Sequence, residues 1–252
     1  MNVLVGDVRK AILSLYAPLY TPLWHLACRQ WRQEGQNKSD NLVRGSTTTS
    51  TLPVVLAKEG RAELLNWIWQ TRGSHTCKRG IANSLMIHAA KAGHASTVSV
   101  LCKTWGARNV DLGLLTAAQA GHEAVFRVLH TLGARHINSA MCAAAAGGHL
   151  RLMQVCREEF GAKQIHHAMA AAARGGHEEI VRFLYLEWHA TDLHFAMQGA
   201  ARGGHEAIVR LCYKWRGPAL DIYAAMEQAR RAGHEHIVQL CRQWWQNRIQ
   251  AQ

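Results

Sequence analysis

The sequence predicts an all-α fold, a solenoid of stacked helix-turn-helix repeats joined by short loops. Three observations predict it: a glycine-histidine pair at a fixed interval, apolar columns of helical spacing around each pair, and a composition suited to a helical core. His94, His122, His149, His177, His205 and His234 each follow a glycine, at intervals of 28, 27, 28, 28 and 29 residues. Self-similarity at a period of about 20–50 residues marks a stack in which each repeat touches only its neighbours. Of the 252 residues, 48% are hydrophobic and four are proline, enough apolar surface for a core and few helix breakers.

The elements follow in chain order. Residues 1–45 do not repeat cleanly; Leu23 to Gly35 (LWHLACRQWRQEG) resembles the second half of a repeat, as a degenerate capping repeat would. Residues 46–51 (STTTST) are polar and read as a linker. The array spans residues 52–245, one degenerate repeat with Gly60-Arg61 in place of Gly-His and then six clear ones. Residues 246–252 form a polar tail expected to fray.

With the histidine as position zero, each clear repeat yields two helices. Position −8 is Met86, Leu114, Met141, Met169, Met197 and Met226, and position −5 is alanine throughout. With the small residues at −4 they make an i, i+3, i+4 stripe, narrow enough for another helix to pack closely. Glycine at −1 can adopt the left-handed conformation that stops a helix. The second helix carries its stripe at +3, +4, +6 and +7, with Glu123, Glu178, Glu206 and Glu235 at its positive dipole end. A lone pair of helices buries too few side chains to offset the entropy of ordering its backbone, so the repeats must stack.

The frame Ala-Ala-x-x-Gly-His-x-x-Ile-Val-x-x-Leu/Cys, clearest in residues 172–184 (AARGGHEEIVRFL) and 200–212 (AARGGHEAIVRLC), resembles the ankyrin repeat. Gly106 to Asp111 and Gly133 to Asn138 match its trailing Gly-Ala segment. The Thr-Pro-Leu-His opening is absent, and the period falls short of the usual 33 or so. The missing residues lie where ankyrin repeats place a β-hairpin finger, so short loops are expected. Leu101 to Ala107 (LCKTWGA) and Cys156 to Ala162 (CREEFGA) are similar to short-repeat ankyrin proteins of large cytoplasmic DNA viruses, the multigene-family proteins of asfarviruses and ankyrin proteins of iridoviruses. That resemblance implies a viral accessory protein that binds host proteins, blunts innate immune signalling or sets host range, and works in the host cytoplasm or nucleus. The C-terminus shows no F-box-like segment through which such a protein would recruit a ubiquitin ligase.

Residue chemistry points to binding rather than turnover. No nucleophile motif, P-loop, dinucleotide fingerprint or HExxH occurs, so no enzyme activity and no cofactor are expected. The periodic histidines lie one repeat apart, about 10 Å, too far to share a metal ion; packing and helix-start hydrogen bonds account for them. His166-His167 and the pair His130 and His136 read as solvated surface. Seven cysteines without a CxxC pair, three of them (Cys156, Cys212, Cys241) in a column shared with leucine, read as apolar core in a reducing compartment. No stretch has membrane-span length, and residues 1–20 lack a signal-peptide core, so a cytosolic, membrane-free protein is expected.

The formal charge of +12 favours acidic partners. Lys91, Arg174, Arg202 and Arg231 share position −3, Arg127, Arg182 and Arg210 share +5, and Arg108, Arg135 and Lys163 sit in the loops. In ankyrin stacks the first helix and the loop tips line the concave face. Lys91, Arg108, Arg135, Lys163, Arg174, Arg202 and Arg231 are therefore the candidate partner-binding residues, weighed against a merely solvated row. A monomer that binds an acidic or phosphorylated host protein is the expected function; a basic nucleic-acid-binding repeat protein is the alternative. Trp105, Trp188, Trp215 and Trp244, with Phe160, end the second helices and either pack there or form an aromatic ladder for a partner.

Overall fold

The computed structural model describes residues 51–72, 79–216 and 220–250, so the expectations for residues 1–45 lie outside the described residues. The chain divides into two compact units, residues 1–56 and 57–252. Every described element is an α-helix. In order they are α1 (Thr51–Lys58), α2 (Ala62–Arg72), α3 (Arg79–Ala92), α4 (Ala95–Lys103), α5 (Val110–Ala120), α6 (Glu123–Thr131) and α7 (Ile137–Ala146). They continue as α8 (Leu150–Glu158), α9 (Ile165–Gly175), α10 (Glu178–Leu186), α11 (Leu193–Gly203), α12 (Glu206–Arg216), α13 (Ile222–Ala232) and α14 (Glu235–Gln250). Two or three residues separate the helices of a pair, and five or six separate successive pairs from α4 onward. The expected short loops are present. Helix α14 runs to Gln250, so residues 246–250 continue the last helix instead of leaving it.

The columns behave as their chemistry requires. Every alanine at −5 and −4 on first helices is buried, as are the −8 residues up to Met197. On second helices the +3, +4 and +7 positions are buried, whereas +6 is only half-buried in α4, α6, α8 and α10. Cys156 and Cys212 lie in the core with their thiols pushed up to about 12 by burial, which leaves them unreactive apolar side chains. In the last repeat Arg230 replaces the buried alanine at −4 and Met226 is half-exposed, so no further repeat covers that face within the described residues.

The Gly-His pair does more than mark a boundary. Gly93, Gly121, Gly148, Gly176, Gly204 and Gly233 all have φ between 79° and 87°, and the histidine that follows opens the second helix. Its ring, however, does not cap that helix; the expected helix-start bond is replaced by one to the preceding repeat. Nε2 of His94, His122, His149, His177, His205 and His234 reaches the carbonyl oxygens of Lys58, Lys91, Gln119, Ala146, Arg174 and Arg202 at 2.8–3.2 Å. Those carbonyls belong to the C-terminal turn of the previous first helix, where a helix leaves acceptors without internal partners. The same ring fills the space a Cβ would need at the previous glycine: a Cβ on Gly176 would lie 2.5 Å from Cε1 of His205. Gly233, with no successor, has nothing within 4 Å of that point.

Two more locks join the repeats. At position −11, Oδ1 of Asn83, Asp111 and Asn138 accepts the backbone N–H of Arg108, Arg135 and Lys163 in the next loop, at 2.7–2.8 Å. Further along, Nδ1 of His194 accepts from the N–H of Asp221 at 3.1 Å. In the second helices, where a repeat ends in a ring, that ring packs on residue +8 of the repeat before; the His122 repeat, ending in Leu132-Gly133, has none. Trp105 meets Trp69 at 5.2 Å, Phe160 meets His130 at 4.5 Å, Trp215 stacks on Tyr185 at 4.2 Å, and Trp244 stacks on Tyr213 at 4.0 Å. Arg157 lies 4.3 Å over Trp188 in the same register. The tryptophans are thus used between repeats. The solvated reading of His130 and His166 is corrected as well: His130 packs at a tilt against Phe160, and Nδ1 of His166 is enclosed without a hydrogen-bond partner among the described residues.

Candidate protein-binding face

First helices pack on first helices, and the −8, −5 and −4 residues are consumed there. This leaves positions −10, −7, −6 and −3 on the outward side. Residues seven apart lie nearly two full turns along, about 10 Å, and point the same way. The −3 end carries Lys91, Gln119, Ala146, Arg174, Arg202 and Arg231, and the −10 end carries Ser84, Leu112, Ser139, His167, Phe195 and Ala224. Between them the central repeats present small, half-buried residues: Ala143, Ala170, Ala171 and Gly199. A Cβ on Gly199 would fall 2.5 Å from the Ala170 carbonyl oxygen, so α9 and α11 approach closely at that point.

Charge separates the two sides of the repeat. On the second helices Arg127, Arg182 and Arg210 pair with Glu123, Glu178 and Glu206 one turn earlier, the i, i+4 geometry. Arg127 also bridges to Glu159 of the next repeat at 2.7 Å, and that guanidinium holds the Glu159 carboxyl below its usual range. The +5 row is therefore neutralised within the protein. On the first-helix side Arg174 and Arg202 are exposed and their side chains make no ion pair or hydrogen bond among the described residues. The side chains of Lys91, Arg108, Arg135 and Lys163 are exposed in the same way. Lys91 and Lys58 add to burial in lowering the pKa of His88, a sign of the positive field at that end.

The seven sequence candidates thus fall into three sets. Arg174 and Arg202 stand on neighbouring first helices, with Lys91 three repeats before Arg174 on the same row. Arg108, Arg135 and Lys163 occupy successive loops at the other end of those helices, fixed by their backbone bonds to the −11 side chains. Arg231 is the exception: its Nε lies 3.1 Å from Glu227, which also holds Arg230, so its charge is paired within its own helix. Sequence reasoning also missed the apolar members. Phe195 is 57% exposed and Leu112 46%, both at −10, and Tyr223 in the last repeat is 56% exposed. Large apolar side chains in an otherwise polar column were the available signal.

Among the described residues no three His, Cys, Asp or Glu side chains converge to hold a metal ion, and no helix is long and apolar enough to cross a membrane.

No protein-family model matches the sequence, and no curated protein does. Among solved structures, the ankyrin repeat domain of human ASB11 matches with a TM-score of 0.50 at 19% identity, over 75% of this chain and 96% of that one. The fold is thus that of an ankyrin repeat domain, a stack of helix pairs, as the repeat frame predicts.

Proposed function

We propose that this ankyrin-repeat fold is a non-enzymatic protein-binding module whose partner docks on the first-helix face and loop tips. One observation carries the reading: Arg127, Arg182 and Arg210 of the second helices are matched by carboxylates, while Arg174 and Arg202 of the first-helix face have no partner among the described residues. Holding unpaired like charges on one surface favours association with an anionic surface and speeds encounter with it. Solenoids present extended surfaces of this kind to other proteins. The mechanism is occlusion or scaffolding, without turnover.

A protein suits this face better than a nucleic acid. Gln119 and Ala146 interrupt the −3 row, so no continuous cation track follows a phosphate backbone. The exposed Leu112 and Phe195 add apolar contact that phosphates do not use. The likeness of the short repeats to ankyrin proteins of large cytoplasmic DNA viruses supports a finer reading: an accessory protein that engages a host protein in the host cytoplasm to modulate innate immune signalling.

Photocrosslinking in cells tests the docking face. A crosslinking residue at Gln119 or Ser139, both exposed on first helices, should capture a discrete partner. One at Glu179, exposed on second helix α10, should not. Reversing Arg174 and Arg202 to Glu should abolish the capture, and reversing Arg182 should leave it intact. Equal capture from both faces, or capture indifferent to Arg174 and Arg202, contradicts the assignment.

A further inference from the structure

We infer that the α9–α11 region of this face receives an acidic amphipathic helix, laid along the direction in which the repeats stack. The inference rests on the first-helix face being the docking surface, and names the chemistry of what docks. Three features of α9 and α11 converge on it. Arg174 and Arg202 form an exposed cationic edge without ion-pair or hydrogen-bond partners among the described residues. Phe195, 57% exposed, with His167 on the neighbouring helix, forms the opposite edge. The two edges are seven residues apart, about 10 Å, close to the width of a single helix of about 10–12 Å.

Spacing fixes what the occupant carries. Neighbouring helices pack about 8–10 Å apart, and seven residues of a partner helix advance about 10.5 Å. Carboxylates at i and i+7 of the partner therefore meet Arg174 and Arg202 in turn, and guanidinium–carboxylate pairs are the stronger class of charged hydrogen bond. Apolar residues on the adjacent stripe of the same helix then lie toward Phe195. Between the edges the half-buried Ala170, Ala171 and Gly199 leave room for the partner backbone, with Gln198 of α11 the one long side chain among these four positions. This is recognition of a helix by a groove, with charge selecting the sequence and one exposed ring giving the apolar anchor. An oligonucleotide would use the arginines and leave Phe195 idle.

Fluorescence anisotropy of a labelled 18-residue peptide titrated with the full chain tests this. The peptide is helix-forming, with Glu at positions seven apart and Leu on the neighbouring stripe. The expected result is saturable binding, weakened at least tenfold by R174E/R202E and at least fivefold by F195S, and unchanged by R182E. A scrambled peptide of identical composition should bind at least tenfold more weakly. Circular dichroism monitors each variant; if R174E/R202E loses helicity, R174A/R202A takes its place with the same expected direction. Failure of the peptide to bind, equal binding of the scrambled peptide, indifference to Phe195, or tighter binding of an oligonucleotide of equal charge each overturns the inference. If the peptide fails while crosslinks from Gln119 and Ser139 persist, the docking face stands and the acidic helix falls.

Discussion

Replacing Gly176 by alanine probes two constraints that the fold imposes on one atom. The backbone there has φ of 83°, and a left-handed residue with a Cβ costs about 1–2 kcal/mol. The Cβ would also sit 2.5 Å from Cε1 of His205, so the ring must move. That movement breaks the bond from Nε2 of His205 to the Arg174 carbonyl, 3.0 Å long, a loss of about 0.5–1.5 kcal/mol. The expected total is about 2–3 kcal/mol. Removing the ring first, in His205→Ala, leaves only the backbone cost of the second change. The double-mutant cycle should therefore show a coupling of about 1 kcal/mol between Gly176 and His205. Gly233→Ala is the independent control, since its φ is 81° and nothing lies near its Cβ; it should cost only the backbone share. Urea denaturation followed by circular dichroism measures the stabilities, and amide exchange in α9 and α12 reports the local junction. Additivity of Gly176→Ala and His205→Ala within about 0.3–0.5 kcal/mol would refute the claim that the pair acts across repeats.

Thr97 is fully buried at a position that is Val, Leu or Ile in the other repeats, and its hydroxyl has no partner. Thr97→Val should stabilise the chain by about 1–3 kcal/mol, seen as a raised melting temperature. Asp111 accepts backbone bonds from Arg135 and His136, chiefly the first, and these lower its pKa. A depressed carboxylate contributes stability present above the unfolded pKa of about 3.9 and lost as pH falls through the lower folded value. Asp111→Asn, which keeps the acceptor, should remove that acid sensitivity from the α5–α7 junction, measured as unfolding midpoints between pH 5 and pH 2 or so. Tyr185 and Trp215 stack at 4.2 Å with planes 11° apart. A double-mutant cycle of their alanine variants should give a coupling of about 0.5–1.5 kcal/mol, and zero coupling would reduce the ladder to coincidental proximity.

Some of the candidate face could be read without a structure. Basic residues at −3 stand out in the columns, and the neutralisation of Arg127, Arg182 and Arg210 was also legible, since Glu at +1 and Arg at +5 are i, i+4 partners. The residues that hold the repeats together were harder to see. Residue +8 is Trp69, Cys102, His130, Arg157, Tyr185 and Tyr213, a column without a shared residue type; all but Cys102 are united by the ring of the next repeat that packs on them. Arg231 shares its column with Arg174 and Arg202, yet Glu227 one turn before it pairs its charge within the helix.

The sequence by itself determined where the two helices of a repeat meet, most of their apolar faces and the short loops. These depend on contacts within one repeat, where helical periodicity and the conformational freedom of glycine operate over a few residues. Only the tertiary structure decided the partner of each element. The Nε2 of a histidine and the carbonyl that receives it are 30–36 residues apart, and nothing local in the chain ties them. The same holds for the proposed docking face: which arginines remain unpaired depends on the carboxylates that stacking brings near, and Arg127 finds Glu159 only because the next repeat lies against it.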